Sequence, residues 1–441
     1  MPKITFMGAG SSIFAKNVLG DCMLTPEIEN LEIALFDIDP VRLEDSRVML
    51  GKIKEETGRS DIAIQSYLNR KEALKDSNYI VNAIQVGGYD PCTITDFEIP
   101  ARYGLRQTIA DTLGIGGIFR ALRTIPVVSD FACDIEEICP DALFINYANP
   151  MAMLTGYLQQ NTKIKSIGLC HSVQVCASGL LKLFGMEESV PGLKWEIAGI
   201  NHQSWLLKIE DSKGCDLYPE IKRRARAYFA GTETYPCEGD LVRLDLMLRT
   251  GYYNTESSEH TAEYSPWYIK SKYPELIEKY KIPLDEYPRR CISQIKGWSE
   301  LRKHVIEGDK IEHVKTYEFA SFIIKAMETD VPFRVHGNVA NTGLITNLPA
   351  KICVEVPCLI DCNGVSPCFV GELPEICAAI NRTNINVQLL TIEAAKTRKK
   401  EFVYQAAMMD PHTAAELSLD DIKSMCDDLF EAHKDWMPEY S

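Results

Sequence analysis

Cys170 and His202 are residue types that bind divalent metal ions, and each follows an apolar segment with the pattern of a β-strand. A thiolate and an imidazole can hold a cation between them and leave coordination positions open for substrate oxygens. The two residues are far apart in the sequence, and a lone cysteine or histidine is more often structural than catalytic. They therefore form a metal-site hypothesis beside a structural alternative.

Acidic and phenolic side chains form a second group of candidates. Asp111 precedes a glycine-rich segment, where it could act as an acid or cap a helix. A later segment brings together acids, an imidazole and a phenol, namely Glu256, Glu259, His260, Glu263 and Tyr264. A solvent-exposed helix start has a similar composition, so both interpretations stay open.

A dinucleotide-binding pattern opens the chain. The apolar segment Lys3–Met7 predicts a strand, and a Gly-x-Gly loop and a helical pattern follow it. In that order the loop lets the backbone approach a pyrophosphate, which the N–H groups of the helix N-terminus then bind. The predicted cofactor contacts in the loop are Gly8, Gly10, Ser11, Ser12 and Ile13, the last of which occupies the place of the usual third glycine.

The second predicted strand, Leu31–Phe36, ends directly at Asp37. A carboxylate at this position can bind the ribose hydroxyls of a dinucleotide and repels a 2′-phosphate, so the pattern favours NAD over NADP. Asp39 is instead interpreted as the cap of a helix that begins near Pro40. Val86, which follows the third strand, is a further candidate cofactor contact.

Three more strand patterns are separated by helical patterns, which predicts right-handed crossovers and a parallel sheet; they are Tyr79–Ile84, Ala142–Tyr147 and Lys165–Leu169. Polar residues follow each strand, at the sheet edge where ligands bind in such folds. We predict an α/β protein with a Rossmann-like NAD-binding domain over residues 1–194. Residues 195–441 are predicted to form a mixed α+β domain for substrate, metal and oligomerisation.

The composition excludes several classes of function. The net charge of -15 disfavours nucleic-acid binding, which needs clustered lysines and arginines. The chain has no apolar run of the roughly 18 residues that a membrane helix needs. It begins with a strand pattern instead of a signal peptide, and its 15 cysteines form no Cys-x-x-Cys pair. We therefore expect a cytoplasmic protein with neither a nucleic acid nor a membrane as partner.

A set of motifs along the whole chain resembles glycoside hydrolase family 4, and within it the bacterial α-galactosidases. The motifs are Gly8-Ala9-Gly10-Ser11, Asp111-Thr112-x-Gly114-x-Gly116-Gly117-Ile118, Asn149-Pro150-Met151, Cys170-His171-Ser172-Val173, Gly199-Ile200-Asn201-His202 and the segment Asn341–Pro349. The tetrapeptide that begins at Cys170 is similar to that of the α-galactosidase branch, because relatives that act on phosphorylated glucosides carry Cys-Asn there.

The resemblance implies a hydrolase of α-galactosides such as melibiose in which NAD is a catalyst and is not consumed. In this family NAD⁺ takes a hydride from sugar C3, which makes the C2 proton acidic, and a divalent metal, Mn²⁺ by resemblance, stabilises the negative charge that develops. A base removes the C2 proton while an acid assists departure of the glycosidic oxygen from C1. Water then adds at C1 and the hydride returns.

The resemblance also assigns roles to single residues. Cys170 and His202 match the metal ligands, and Asp111 matches the acid for the leaving group. The substrate-binding candidates are Asn149, His171, Asn201 and Arg289. Asn201 is expected beside the metal, and for Arg289 a surface salt bridge is the alternative. Tyr264 is the first candidate for the base, and Glu259 is the second. Relatives are homodimers or homotetramers, and we expect the same here by resemblance alone.

Other functions share part of the pattern. A 2-hydroxyacid dehydrogenase of the lactate/malate type has the same nucleotide half, but it needs no metal, so the pair Cys170 and His202 counts against it. An α-glucosidase or α-galacturonidase of the same family differs from an α-galactosidase only in the sugar. A sugar- or nucleotide-sensing protein could keep the fold without turnover.

Overall fold

One mixed sheet contains strands from both halves of the chain in the computed structural model, which describes residues 1–187, 192–308, 311–316 and 318–441. The strands are β1 (Lys3–Met7), β2 (Glu32–Phe36), β3 (Ala63–Tyr67), β4 (Tyr79–Asn82), β5 (Leu143–Asn146), β6 (Lys165–Gly168), β7 (Lys194–Ile200), β8 (Gln203–Glu210), β9 (Tyr253–Asn254), β10 (Phe333–Ala340), β11 (Cys353–Asp361) and β12 (Gly364–Pro367). Their order is β3-β2-β1-β4-β5-β6-β10-β11-β7-β8-β9, and β12 pairs with β11.

Helices connect these strands and cover the sheet. They are α1 (Ser12–Met23), α2 (Pro40–Thr57), α3 (Arg70–Leu74), α4 (Ile94–Arg102), α5 (Gly114–Ile138), α6 (Met151–Asn161), α7 (Ser172–Leu183), α8 (Tyr218–Phe229), α9 (Leu241–Thr250), α10 (Ser258–Glu263), α11 (Glu275–Lys279), α12 (Glu286–Glu307), α13 (Phe319–Thr329), α14 (Glu375–Thr397), α15 (Lys400–Met409), α16 (Pro411–Glu416) and α17 (Leu419–Ala432). A π-helical turn, Gly88–Thr93, precedes α4. None of the helices in the described part of the chain is long and apolar enough to cross a bilayer.

The strands β3-β2-β1-β4-β5-β6 are parallel, which is the strand order of the Rossmann fold. Strands β1, β4 and β5 are buried along their whole length, because helices cover both faces of a parallel sheet. The five predicted strands of this half are therefore confirmed within one or two residues at each end. Strand β3 was not predicted, because this edge strand is largely solvent-accessible and lacks an apolar run.

The second half of the chain continues the same sheet with antiparallel strands. Strand β10 pairs with β6 at Asn338 and Gly168, and β11, β7, β8 and β9 follow it. The predicted fold class, a Rossmann-like parallel sheet followed by a mixed α+β part, is thus confirmed. The division after residue 194 stays a prediction, since strands on both sides of it belong to one sheet.

The loop after β1 requires a glycine at its first position. Gly8 has φ = +86°, and a Cβ there would lie 2.9 Å from the carbonyl oxygen of Ala83. The predicted cap of α2 is confirmed, because the Asp39 carboxylate accepts hydrogen bonds from the amides of Val41 (2.9 Å) and Arg42 (3.1 Å). Asp39 therefore caps α2, whereas Asp37 lies against the nucleotide loop and accepts a hydrogen bond from the Gly10 amide.

Helix α12 is attached to the nucleotide half by charged side chains. Arg302 forms a two-pronged ion pair with Asp45 of α2, at 2.6 and 2.7 Å. Lys52 of α2 donates to the carbonyls of Val305 and Ile306 at the end of α12 and to that of Gly308, which follows the helix. These contacts fix the helix whose first turn reaches the candidate site.

Candidate active site

A cleft of about 260 Å³ lies at the carboxyl ends of the parallel strands, where ligands bind in Rossmann folds. It is bordered by residues that follow β1, β4, β5 and β6. The predicted site residues that line it are Ser11, Asp111, Asn149, Cys170, His171 and His202. The fold therefore brings the nucleotide loop, the proposed acid and the proposed metal ligands to one cleft.

The nucleotide loop has a geometry that fits a dinucleotide. The Gly10 amide donates to Asp37 Oδ2 at 2.6 Å, so the acid at the end of β2 lies directly against the loop. Helix α1 begins at Ser12, and its first N–H groups adjoin the cleft that Ser11 lines. Ile13 is 40% exposed, and Val86 is partly exposed with its carbonyl held by Arg123 Nε at 3.2 Å.

Three side chains of metal-binding type meet at the cleft. The Cys170 thiol, the His202 imidazole and the Glu256 carboxylate have ligand atoms that all lie within 4.8 Å of one another. Glu256 Oε2 is 3.3 Å from His202 Nε2 and 3.8 Å from Cys170 Sγ. Sulfur, nitrogen and oxygen donors together suit a divalent transition-metal ion.

Glu256 is a site residue that the sequence did not single out as a metal ligand. It belongs to a segment with several acids, and the local pattern does not indicate which of them meets Cys170 and His202. Its position just after β9, a strand of only two residues paired with β8, carries it to the cleft. Only the tertiary fold distinguishes Glu256 from the other acids of its segment.

Asn201 and His202 form the two-residue turn between β7 and β8. His202 has φ = +61°, a left-handed conformation that is uncommon for residues other than glycine and that recurs at functional sites. Both polar side-chain atoms of Asn201 are buried and have no hydrogen-bond partner within the part of the chain that the structure describes. A buried amide of this kind fits a site that a bound ligand or ion completes.

The electrostatics of these side chains also fit a cation. Burial and the nearby carboxylates of Glu256 and Glu355 raise the pKa of the Cys170 thiol well above its ordinary value. Burial lowers the pKa of His202, which leaves the neutral imidazole that metals bind. Burial acts to raise the pKa of Glu256, but its electrostatic interaction with the imidazoles of His202 and His260 and the hydrogen bond from the Ser257 amide lower that pKa to about 2. The Cys170 thiol, in turn, loses its proton and becomes a thiolate ligand when a cation binds.

Asp111 is buried in the cleft and held by two neighbours. Its Oδ1 accepts from Thr112 Oγ1 at 2.7 Å and its Oδ2 from Asn149 Nδ2 at 3.1 Å. Burial acts to raise the pKa of Asp111, but Arg120, the largest opposing charge, and His260 hold it below its usual range. The carboxylate is thus ionised in the ligand-free cleft.

Tyr264 lies behind the metal-binding group. It is 1% exposed, and its hydroxyl is 3.2 Å from His202 Nδ1, on the opposite side of the ring from the nitrogen that faces Glu256. Burial raises the pKa of the phenol well above its ordinary value, and the charges of Glu263 and Asp111 act in the same direction. Action as a base therefore requires a nearby cation.

Four of the predicted catalytic and substrate-binding residues do not line the cleft, namely Asn201, Glu259, Tyr264 and Arg289. The Glu259 carboxylate forms an ion pair with Arg290 of α12, and Arg289 binds Glu286 Oε2 at 2.8 Å and the Leu284 carbonyl at 2.6 Å. For Arg289 this geometry favours the salt-bridge interpretation over substrate contact. For the base, Glu259 is engaged by Arg290 whereas the Tyr264 hydroxyl lies against His202, so Tyr264 stays the first candidate.

His171 lines the cleft beside Cys170 and is oriented by a buried acid. Its Nε2 lies 2.7 and 2.8 Å from the two carboxylate oxygens of Glu318, which precedes α13. The hydrogen bond to Glu318 raises the pKa of His171. Glu318 thereby contributes to the site from far along the chain, and its spacing from His171 in the sequence gave no sign of it.

Arg120 and Tyr287 also line the cleft and were not predicted. The Arg120 guanidinium lies 5.7 Å from the centre of the Tyr287 ring, and both groups are mostly buried. Arg120 lies on α5 shortly after the Asp111 motif, whereas Tyr287 lies at the start of α12. They supply a fixed positive charge and a phenol next to Asp111.

Comparison with known proteins gives a consistent result over the whole chain. Residues 3–186 match the model of the family 4 glycosyl hydrolases, and residues 197–413 match the model of the C-terminal domain of that family. An α-galactosidase of Bacillus subtilis (strain 168) is 60% identical over 440 residues, covering 100% of both chains. An α-galactosidase of Rhizobium meliloti (strain 1021) is 33% identical, covering 100% of this chain and 90% of its own.

A solved structure shares the whole fold. The 6-phospho-β-glucosidase of Thermotoga maritima, determined with manganese, NAD⁺ and glucose-6-phosphate, superposes with a TM-score of 0.78 and covers 100% of both chains. The sequences are 21% identical. At that distance the likeness shows a common architecture.

Proposed function

The chain belongs to family 4 of the glycosyl hydrolases, and from this premise we propose that it is an α-galactosidase that uses NAD and a divalent metal ion, Mn²⁺, to hydrolyse α-galactosides such as melibiose. The observation that carries the proposal is the cleft that Ser11 of the nucleotide loop lines together with Cys170 and His202, which meet Glu256. The identity of 60% to an α-galactosidase over the full length supports the sugar.

The residues present fit both cofactors. Gly8, Gly10, Ser11, Ser12 and Ile13, with Asp37 and Val86, would hold NAD, and Cys170, His202 and Glu256 would hold the metal. When bound, NAD supplies reversible acceptance of a hydride from the sugar, and the metal supplies positive charge beside the sugar oxygens. The protein must position the sugar between them.

The protein residues bind the substrate and move its protons. Asn149 and His171 bind sugar hydroxyls, and Asn201 supports the metal end of the cleft. Tyr264 would first lose its own proton to solvent, and its phenolate oxygen, 3.2 Å from His202 Nδ1, would then accept the C2 proton. Asp111 gives a proton to the departing glycosidic oxygen. A bound sugar displaces water from this carboxylate, and the loss of water favours the protonated form that an acid needs.

The alternatives are less consistent with the site. A 2-hydroxyacid dehydrogenase makes no use of a thiol, an imidazole and a carboxylate gathered at the cleft. An α-glucosidase or α-galacturonidase of the same family would use the same cofactors, but the relative at 60% identity is an α-galactosidase.

We also propose a homodimer or homotetramer located in the cytoplasm, without nucleic-acid or membrane partners. Helix α12 exposes Ile292 (55%) and Ile295 (56%) one turn apart, which supports a subunit contact there. The role of Cys170 supports the location, because a metal-binding thiolate must stay reduced.

The cofactor requirement gives the first test. Purified protein with NAD⁺, Mn²⁺ and a reductant is expected to release nitrophenol from p-nitrophenyl α-galactoside, and removal of either cofactor by dialysis is expected to stop the release. Absorbance at the nitrophenolate band measures it. NADH that accumulates with a 2-hydroxyacid would support the dehydrogenase instead, and absence of turnover under every condition would support a binding protein.

A further inference from the structure

A buried carboxylate next to the proposed base binds three successive backbone amides. Glu263 is 3% exposed, and its Oε2 accepts from the amides of Thr108 (2.8 Å) and Ile109 (3.0 Å). Its Oε1 accepts from the amide of Ala110 at 2.9 Å. Successive N–H groups that converge in this way form an anion-binding concavity, and here an internal side chain fills it.

The segment that Glu263 binds leads directly to Asp111. Ala110, the residue before it, has φ = +54°, a conformation that L-residues adopt only where their surroundings impose it. Space is also restricted, since a Cβ at Gly116 in the first turn of α5 would overlap the carbonyl oxygen of Ala110. Without an acceptor the three buried amides would be unsatisfied, so this backbone shape depends on the carboxylate.

Glu263 belongs to the element that also carries the proposed base. It is the last residue of α10, and Tyr264 follows it with its hydroxyl 3.2 Å from His202 Nδ1. A second contact holds the same two segments together, because Thr108 Oγ1 donates to the carbonyl of Glu259 at 2.8 Å. The distance between the phenol of Tyr264 and the carboxylate of Asp111 is therefore set through the contact between α10 and residues 108–110.

We propose that Glu263 is a positioning residue that holds the backbone of residues 108–110 so that Asp111 reaches the glycosidic oxygen from a fixed place relative to Tyr264. The inference rests on the proposed function, because it assigns Asp111 and Tyr264 their roles. Glu263 itself touches neither substrate nor cofactor. It acts through the three amides.

The test variant is Glu263→Gln, whose amide keeps the shape but places an NH₂ group against at least one backbone N–H. We expect kcat for melibiose, whose sugar leaving group needs a proton, to fall about 10- to 100-fold. We expect kcat for p-nitrophenyl α-galactoside, whose leaving group departs as an anion, to fall less than about 3-fold. Binding of NAD and of Mn²⁺ should be unchanged.

Hydrogen exchange gives a readout that does not depend on activity. In the variant, the amides in the peptide over residues 105–113 should exchange at least about 10-fold faster than in the wild type, because they lose their acceptor. The control is Asp134→Asn. Asp134 is a buried carboxylate near the C-terminal end of α5 that binds Arg70 of α3, so its replacement should change neither the kcat values nor the exchange of residues 105–113. If Glu263→Gln does not fold, Glu263→Asp, which withdraws the carboxylate by one methylene, is measured in the same two ways.

Two results would overturn the inference: equal losses with both substrates, or unchanged exchange in residues 105–113. In an Asp111→Asn background, the inference requires that Glu263→Gln lower kcat for melibiose by less than about 2-fold more. Both changes act on the same step, which is protonation of the leaving group by Asp111. A further independent loss would contradict it. If the wild-type protein hydrolyses no α-galactoside, the proposed function fails, while the exchange measurement still decides whether Glu263 holds the loop.

Discussion

Replacement of Cys170 by serine is expected to lower kcat for α-galactosides by at least about 1000-fold while binding of NAD is retained. The Cys170 thiol is one of three groups that can hold the metal, and a serine hydroxyl is a much weaker ligand for such an ion. A metal contributes several kcal/mol of charge stabilisation, and each ~1.4 kcal/mol changes a rate about tenfold. Calorimetric titration with NAD⁺ and measurement of bound Mn²⁺ would accompany the kinetics.

The matched control is Cys426→Ser, the same chemical change at a fully buried cysteine on α17, away from the cleft. It should lower the thermal midpoint but leave Mn²⁺ binding and kcat within about 3-fold of the wild type, since a buried hydroxyl costs stability without touching the cleft. Wild-type activity or unchanged Mn²⁺ binding in Cys170→Ser would refute the metal assignment.

Replacement of Asp111 by asparagine is expected to have the second largest effect, and the size should depend on the leaving group. With melibiose, kcat should fall about 10²- to 10⁴-fold, the usual contribution of general acid catalysis. With p-nitrophenyl α-galactoside the fall should be far smaller, because nitrophenolate needs no proton to leave. Asparagine keeps a carbonyl oxygen that can still accept from Asn149 or Thr112, so the loop should keep its shape.

Comparison of kcat for the two substrates in the same preparation measures this effect. Losses of equal size would mean that Asp111 supports the structure or binds the sugar, and does not protonate the leaving group. The Asp134→Asn protein again serves as control, because it carries the same carboxylate-to-amide change on a helix that follows Asp111 but outside the cleft.

The sequence predicted the parallel half of the fold because buried parallel strands leave a continuous apolar run. Strands β1, β4 and β5 are buried along their whole length, and each was recognisable from its residues alone. Strand β3 shows the limit of this signal. It lies at the edge of the sheet with most of its side chains exposed, so its composition resembles that of a loop.

The candidate site could be predicted where a residue follows a strand, and not where distant segments meet. Asp37 and Cys170 come at or just after strand ends, so the pattern indicated them. Glu256 and Glu318 reach the site from loops whose position depends on the packing of the second half. Their partners, His202 and His171, lie far away in the sequence, and no local spacing relates the members of each pair.

The proposed mechanism requires that the C2 proton leave the sugar before the glycosidic bond breaks, and deuterium at C2 tests this directly. An α-galactoside labelled with deuterium at C2 is incubated with the protein, NAD⁺ and Mn²⁺ in ordinary water, and the released galactose is analysed by mass spectrometry. We predict that the deuterium is lost to solvent and that the loss requires both cofactors. Galactose that retains its deuterium at C2 would contradict the account, because direct displacement at C1 leaves that position untouched.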